Sequence, residues 1–470
     1  MQKELSAKDL KKRDLILNGD MWSVVFYIAT PLAIFQWMQM FFKVFDTIIA
    51  SHISPMSVSA VAYLSQITNM IIALGTGLSI GSCIKIGEAY GAGNYELVHK
   101  MVNTLFKLCM YVAIVVGVCV PFSSTFLRVL GTPEDFVFEG SVYFGIILSD
   151  CVINFFSTAY IAVERMRGNT SRILCLNLVA FMTKLILSVL FVFVFNSGIA
   201  MIGVATLASD SVIFLAFIYN LCIKGKGDIF SISSYNLKLD MPVVRNLLKM
   251  SSPVIGEKFI FQFGRYLTAV LASGYGSLVS GAFSVSNNIG GMIISLCSGF
   301  QDAGSAIISQ NRGAGKNDRS LHAFYRILII NVGIAFVGFI GASAFLPEIA
   351  SIFDGGDPEF SMYIQDIYLW EVYSLVPQAI FAAVCALLYG YGYTKLSMIL
   401  NFVRLFVLRV PVLWFFQNYT DLGHEAAGIS MAISNGGIGI IGGIISIFLV
   451  IKIKKGIEDS EKLEEEVKND

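Results

Sequence analysis

Residues 75–93 read GTGLSIGSCIKIGEAYGAG, and residues 299–315 read GFQDAGSAIISQNRGAG. The two stretches align without a gap at an offset of 222 residues. Four pairs of positions match at this offset: Pro31 with Pro253, Gly77 with Gly299, Gly91 with Gly313, and Gly93 with Gly315. The chain is therefore predicted to contain two copies of one structural unit.

The repeated glycines and prolines have local structural meanings. Glycine tolerates the tight turn by which a chain leaves a helix, so each GAG is predicted to be a turn after the second helix of its half. Pro31 and Pro253 each remove a hydrogen bond inside the first helix of a half. Each proline is predicted to be a hinge, with a static kink as the alternative.

The composition places the repeat in a membrane. Of the 470 residues, 56% are apolar and 14% are charged, and the mean hydropathy is +0.71. Soluble domains average about 25% charged residues. Lys plus Arg equals Asp plus Glu at 33 each, so no net field attracts polyanions. This balance excludes an ordinary soluble enzyme, a disordered chain and a nucleic-acid-binding protein.

Apolar runs predict twelve transmembrane helices and an all-α polytopic fold, because backbone groups have no water partner in lipid. The predicted runs are 21–45, 58–82, 102–122, 140–163, 173–195, 201–223, 250–273, 281–308, 324–346, 361–388, 397–416 and 427–451.

Lys and Arg set the orientation of these helices. With the N-terminus inside, 24 of the 33 basic residues fall in cytoplasmic segments, and Arg128 alone falls in an outer loop. Both termini are therefore predicted to be cytoplasmic. Six helices separate the repeats, so the halves share one orientation, as in alternating-access transporters. The predicted domains are a cytoplasmic segment 1–20, an N-lobe 21–223, a linker 224–249, a C-lobe 250–453 and a cytoplasmic tail 454–470.

Cysteine and histidine give no support for redox or metal chemistry. The eight Cys form no CxxC pair and lie in or beside apolar runs, and the four His show no paired spacing. We therefore expect no metal site, no cofactor, no disulfide framework and no enzymatic activity.

The order and spacing of several motifs resemble the multidrug and toxic compound extrusion (MATE) family. The resemblance covers nearly the whole chain. It is carried by Pro31 with Asp46, the two quoted glycine-rich stretches, ERMRGNTSR at 164–172, and LLYGYGYTK at 387–395.

The resemblance implies two pseudo-symmetric six-helix lobes around a central cavity. It also implies an antiporter that exports drugs or amphipathic metabolites in exchange for protons or sodium. Asp46 matches the coupling acid of the family. An ionisable group inside a membrane helix is costly and is therefore a functional candidate.

The fifth helix departs from the family pattern. DinF-like relatives have an Asn and an Asp where this chain has Lys184 and Ser188. An ammonium near the midplane repels sodium, so we predict proton coupling through an Asp46–Lys184 pair. Asp210 and Asp150 are alternative partners of Lys184. A further alternative is that Lys184 snorkels toward the interface or contacts an anionic substrate. Asn154 and Asn177 are predicted to complete this polar network and, together with Ser188, to line the substrate cavity, with helix-to-helix hydrogen bonds as the alternative.

The second lobe has its own polar set. Glu257, Gln262 and Arg265 lie on the seventh helix, and Asn287 and Asn288 lie on the eighth; all five are predicted to line the substrate cavity. Vibrio-type sodium pumps have acids on the seventh and tenth helices, at or near the positions of Gln262 and Gln378. These two side chains are uncharged, which favours the DinF-like branch and proton coupling; the alternative is that Glu371 on the tenth helix substitutes for the missing acid. Arg404 and Arg409 resemble a family Arg–Pro pattern, with packing or snorkelling as the alternative.

These observations predict a monomeric antiporter in the cell inner (plasma) membrane. Its partners would be a small amphipathic substrate and the lipid bilayer, with no nucleic acid. The alternative is a lipid-linked oligosaccharide flippase of the same superfamily, which would need a wide cationic groove. A membrane enzyme or a channel explains the parallel repeats less well.

Overall fold

The computed structural model describes residues 5–51, 55–129, 134–223, 228–232, 239–353 and 357–469. These residues form α-helices with short 3₁₀ and π segments and no β-strand. The helices are α1 (Ala7–Asn18), α2 (Met21–Ser51), α3 (Pro55–Gly91), α4 (Tyr95–Cys119), α5 (Ser123–Val129), α6 (Glu134–Met166), α7 (Thr170–Val189), α8 (Ile199–Phe217), α9 (Met241–Ser273), α10 (Ser277–Gly313), α11 (Asn317–Ala344), α12 (Leu346–Ser351), α13 (Pro358–Gly390), α14 (Thr394–Phe402), α15 (Val410–Tyr419) and α16 (Glu425–Asn469).

Eleven stretches of the described helices are long and apolar enough to cross a membrane. The seventh predicted span lies on α9, which is less apolar because it carries several charged side chains, including Glu257, Lys258 and Arg265. The predicted all-α, polytopic membrane class is confirmed.

The repeated glycines adopt repeated turns. Gly93 and Gly315 have φ angles of +75° and +76°, in the left-handed region that glycine favours. In both turns the amide of the next residue donates to a carbonyl five positions back: Asn94 to Ala89 at 3.0 Å, and Lys316 to Asn311 at 2.8 Å. This bond satisfies a carbonyl that the helix end leaves open. The predicted exit turns are confirmed.

Contacts divide the chain into two compact units. Unit 1 comprises Met1–Lys12, Met38–Ala89 and Asn94–Gln262, and unit 2 comprises Arg13–Trp37, Tyr90–Gly93 and Phe263–Asp470. The unit limits therefore fall within α1, near the end of α3, and in the middle parts of the transmembrane helices α2 and α9. Pro31 and Pro253 lie inside these same helices. Their hinge role and the predicted lobe limits remain predictions.

Each unit has its own apolar core. In unit 1, the Phe217 ring stacks on Phe106 at 4.8 Å between centroids and on Phe156 at 5.9 Å, which joins α4, α6 and α8. In unit 2, buried side chains of α10, α11, α13 and α16 form a continuous core that includes Phe283 and Tyr368. Polar side chains inside either core are therefore exceptions that require a reason.

Candidate functional site

A polar cluster lies among α6, α7 and α8 of unit 1. Asp150 and Asn154 are four residues apart on α6 and so share one helix face. Asn154 Nδ2 donates to Asp210 Oδ2 on α8 at 2.9 Å. Asn154 Oδ1 accepts from Thr158 Oγ1 at 3.0 Å, which fixes the orientation of the amide. The two predicted acids and the predicted amide are therefore brought together.

Lys184 supplies the positive charge of this cluster. It is half-buried on α7, and its charge interacts with both Asp150 and Asp210. Asp150 is only 3% exposed, and its Oδ1 has no hydrogen-bond partner among the described residues. Two carboxyl groups thus share one ammonium in this cluster.

Three predicted members of the N-lobe site have other surroundings. Asp46 lies on α2, but its side chain is outside the described residues. Asn177 donates to the Ile173 carbonyl of its own helix at 2.8 Å. Ser188 Oγ is buried and has no hydrogen-bond partner within the described part of the chain.

A second polar cluster lies in unit 2 and has the opposite charge. Asn435 Oδ1 on α16 accepts from Arg404 Nη2 at 2.7 Å and from Arg409 Nη2 at 2.6 Å. Arg409 Nε donates to Ser434 Oγ at 2.8 Å. Glu371 on α13 is 4% exposed and interacts electrostatically with both arginines and with Arg265. We call Arg265, Arg404, Arg409 and Glu371 the arginine cluster.

Two members of its hydrogen-bond network, Asn435 and Ser434, were absent from the sequence prediction. Their only sequence signal is a polar pair, Ser434-Asn435, inside the long apolar run of α16. Arg404 lies in a π-helical segment, Val403–Val407, that directly follows α14. Local π turns redirect side chains and are frequent at functional sites.

The remaining predicted cavity residues are dispersed. In unit 1, Glu257 is buried and Gln262 is half-buried on α9. In unit 2, Asn287 donates to the Phe283 carbonyl at 3.0 Å and contacts Met431 Sδ at 3.8 Å. Asn288 is half-buried. Their role in a substrate cavity remains a prediction.

A third charged cluster lies outside the spans, where the end of α6 meets α1. Arg167 Nη2 donates to Asp9 Oδ2 at 2.7 Å and to Asp228 Oδ2 at 2.6 Å, and Arg167 Nη1 donates to Glu164 Oε1 at 3.2 Å. Burial acts to raise the pKa of Asp9, but the hydrogen bond and charge of Arg167 outweigh it and hold that pKa below its usual value.

The whole chain resembles a known protein family. The family model MatE matches residues 31–190 and 253–415. The two matched segments begin at positions 222 residues apart, which equals the offset of the sequence repeat.

Two curated relatives are similar over most of their length. The chain is 25% identical over 377 residues to the probable multidrug resistance protein YoeA of Bacillus subtilis (strain 168), covering 78% of this chain and 80% of YoeA. It is 21% identical over 415 residues to the probable multidrug resistance protein NorM of Thermotoga maritima, covering 86% of this chain and 87% of NorM.

Solved structures share the fold. A MOP superfamily transporter from Pyrococcus furiosus matches with a TM-score of 0.87 and 19% identity, over 96% of this chain and all of that one. A multidrug resistance MATE family transporter in an outward-facing conformation matches with a TM-score of 0.88 and 19% identity, over the same share of each chain. These matches show the twelve-helix transporter fold.

Proposed function

Because the chain belongs to the MATE family, we propose that it exports amphipathic small molecules in exchange for protons. Members of this family are membrane transporters, not enzymes, and they need no cofactor. The coupling ion and the substrate class are what the proposal adds for this chain.

The observation that carries proton coupling is the position of Lys184 among the acids of unit 1. Asp150 and Asp210 both interact with its charge. With all three groups ionised, the cluster carries one negative charge, and one proton brings it to neutrality. Because uncompensated charge is costly in a membrane, proton uptake relieves that cost and biases the transport cycle. The three groups then titrate together, not one by one.

The same cluster is a poor sodium site. Sodium requires several oxygen ligands around one position, and the ammonium of Lys184 competes for the same carboxylates. Asp46 on α2 is the further coupling acid that the family resemblance implies, and we retain it in the proposal.

We further propose that the protein lies in the plasma membrane with both termini in the cytoplasm. The apolar helices suit the plasma membrane, and the excess of Lys and Arg in alternate loops favours cytoplasmic termini. We take the transporter to be a monomer that works by alternating access, with the hinges at Pro31 and Pro253. We also propose that the chain belongs to the DinF-like branch of the family.

Proteoliposomes loaded with ethidium provide the test. We expect efflux to follow an imposed pH gradient and to be unaffected by a sodium gradient at constant pH. Efflux that follows sodium alone would contradict the proposal. Efflux of the dye at equal rates with and without either gradient would favour a flippase-like, uncoupled mechanism.

A further inference from the structure

The side chain of Asn154 joins α6 to α8 in the polar cluster of unit 1. Its Nδ2 donates to Asp210 Oδ2 at 2.9 Å. A hydrogen bond to an ionised carboxylate is roughly twice as strong as one between neutral groups. The bond therefore favours the ionised form of Asp210 over its protonated form.

Thr158 orients the Asn154 amide. Its hydroxyl, one turn further along α6, lies 2.7 Å from the Asn154 carbonyl oxygen and 3.0 Å from Asn154 Oδ1. Because Oδ1 faces this donor, the NH2 group of the same amide faces Asp210. An amide that is already oriented loses little rotamer freedom when it donates to the carboxylate. Asn154 and Thr158 together thus form a preorganised donor for Asp210.

Asp150 lacks this support. It lies one turn before Asn154 on the same face of α6. It is 3% exposed, and its Oδ1 has no hydrogen-bond partner among the residues that the structure describes, whereas Asp210 is half-buried. A charged carboxylate is costly where it is buried without hydrogen bonds, and the protonated acid is much less so. Burial and hydrogen bonding therefore both favour a proton on Asp150 over one on Asp210.

The charges around the two acids are compatible with this preference. Among the described residues, the charged side chains that act on Asp150 are Asp210 of α8 and Lys184 of α7, and Lys184 also acts on Asp210. In the same part of the chain, no charged side chain of α4 or α5, which also pack on α6, acts on either acid. An ionised Asp210 favours the protonated form of Asp150. The cluster titrates as a unit, but its surroundings still decide which carboxylate holds the bound proton.

We propose that Asn154, oriented by Thr158, holds Asp210 ionised and thereby directs the coupling proton to Asp150. Asn154 and Thr158 are then positioning residues, and Asp150 is the acid whose protonation changes during transport. The inference rests on the proposed proton coupling, to which it adds the residue that holds the proton.

Site-specific labelling of the purified full chain in detergent, with no ion gradient, tests the inference. Dicyclohexylcarbodiimide adds to a protonated carboxyl group and leaves a stable N-acylurea, so peptide mass spectrometry identifies the acid that holds the proton. At neutral pH we expect the wild type to be labelled at Asp150 about ten-fold more than at Asp210, the scale of one charge-assisted hydrogen bond. Access of the reagent does not explain this preference, because Asp210 is the more exposed acid.

Three variants make the test specific. Asn154→Leu removes the donor, so labelling of Asp210 relative to Asp150 should rise about ten-fold and extend about one pH unit further into alkaline buffer. Thr158→Val keeps the donor but not its orientation, so it should change the labelling ratio in the same direction and by less. Thr206→Val is the control, because it removes a hydroxyl one turn from Asp210 that donates within its own helix, and it should leave the ratio unchanged.

The inference is overturned if Asp210 is labelled as readily as Asp150 in the wild type, or if Asp150 is unlabelled at every pH. Equal labelling ratios in Asn154→Leu and Thr206→Val would also overturn it. Gel filtration of each variant verifies that it is folded, and Thr158→Val replaces Asn154→Leu in the comparison if the latter does not fold. Since the labelling uses no gradient, a contrary result leaves proton coupling by the cluster standing, and loss of proton-driven efflux leaves the labelling result standing.

Discussion

Gly299 lies against the backbone of Ala33, so close that a β-carbon at position 299 would approach the Ala33 Cα within 2.2 Å. The same relationship occurs 222 residues away in each partner: a β-carbon at Gly77 would approach the Ile255 Cα within 2.5 Å. The first pair lies in unit 2 and the second in unit 1. The repeat therefore preserves a helix-to-helix contact as well as a motif.

Enlarging either glycine should destabilise the protein. Gly77→Ala and Gly299→Ala each force a backbone shift, because the atom that they meet belongs to the main chain and cannot rotate away. Overpacking of this kind costs about 1–3 kcal/mol. We expect a lower melting temperature in detergent for both variants. Gly333→Ala is the matched control, since no atom of the described residues lies within 4 Å of a β-carbon there. An equal loss in the control would contradict the explanation.

Neutralising either acid of the unit 1 cluster should remove coupling. In Asp150→Asn or Asp210→Asn, one carboxylate remains for Lys184, the cluster is neutral without a proton, and proton uptake no longer relieves a charge. We expect efflux driven by a pH gradient to fall below about a tenth of the wild-type rate, a factor that corresponds to ~1.4 kcal/mol.

Asp421→Asn, in an exposed loop, is the control for these variants and should transport normally. Full pH-driven transport by both cluster variants would exclude these two acids from coupling and leave Asp46 as the coupling candidate.

Removing Lys184 should change the ion selectivity. Lys184→Gln leaves Asp150 and Asp210 without their shared ammonium, so a monovalent cation has two carboxylates to bind. We expect efflux by this variant to respond to a sodium gradient, to which the wild type does not respond. If the variant still ignores sodium while it remains folded, the ammonium is not what excludes sodium.

The Asp9–Arg167 pair predicts a pH-dependent contribution to stability outside the membrane. The pKa of Asp9 in the folded protein is below its unfolded value. Its contribution is therefore complete above the unfolded pKa of about 4 and is lost as the pH falls through the lower, folded pKa. Asp9→Asn should lower the free energy of unfolding by about 1–3 kcal/mol near neutral pH.

Melting temperatures measured across pH provide the check for Asp9. The difference between the wild type and Asp9→Asn should be constant above pH about 4 and should close in more acidic buffer. Asp14→Asn changes an exposed acid on the same helix, α1, and should give little difference at any pH. A difference for Asp9→Asn that grows as the pH falls would have the wrong sign.

The sequence predicted the features that depend on order along the chain. Gly93 and Gly315 adopt their turns because no other residue tolerates that φ so easily, and a motif with that constraint is visible in the letters. The helical class followed from apolar length. The sequence favoured Asp46 as the partner of Lys184 and offered Asp150 and Asp210, which lie at similar depth, only as alternatives.

The sequence did not predict the hydrogen-bond network of unit 2. Arg404 and Arg409 were assigned either to the family's Arg–Pro pattern or to packing and snorkelling, because depth along a helix does not determine which neighbour a side chain meets. The π segment that contains Arg404 shifts the helical register, so a regular 3.6-residue period misplaces it. Asn435, which accepts from both arginines, gave no signal of its partners.

The membership of the two units bears on whether one half of the chain could fold without the other. Residues 13–37, which include the first half of α2, belong with 263–470, and the first half of α9 belongs with 38–89 and 94–262. A chain severed between its halves would yield two products, each holding a helix segment that completes the other's unit. Neither half of the chain alone would therefore contain every segment of one unit, and we expect neither to fold without the other.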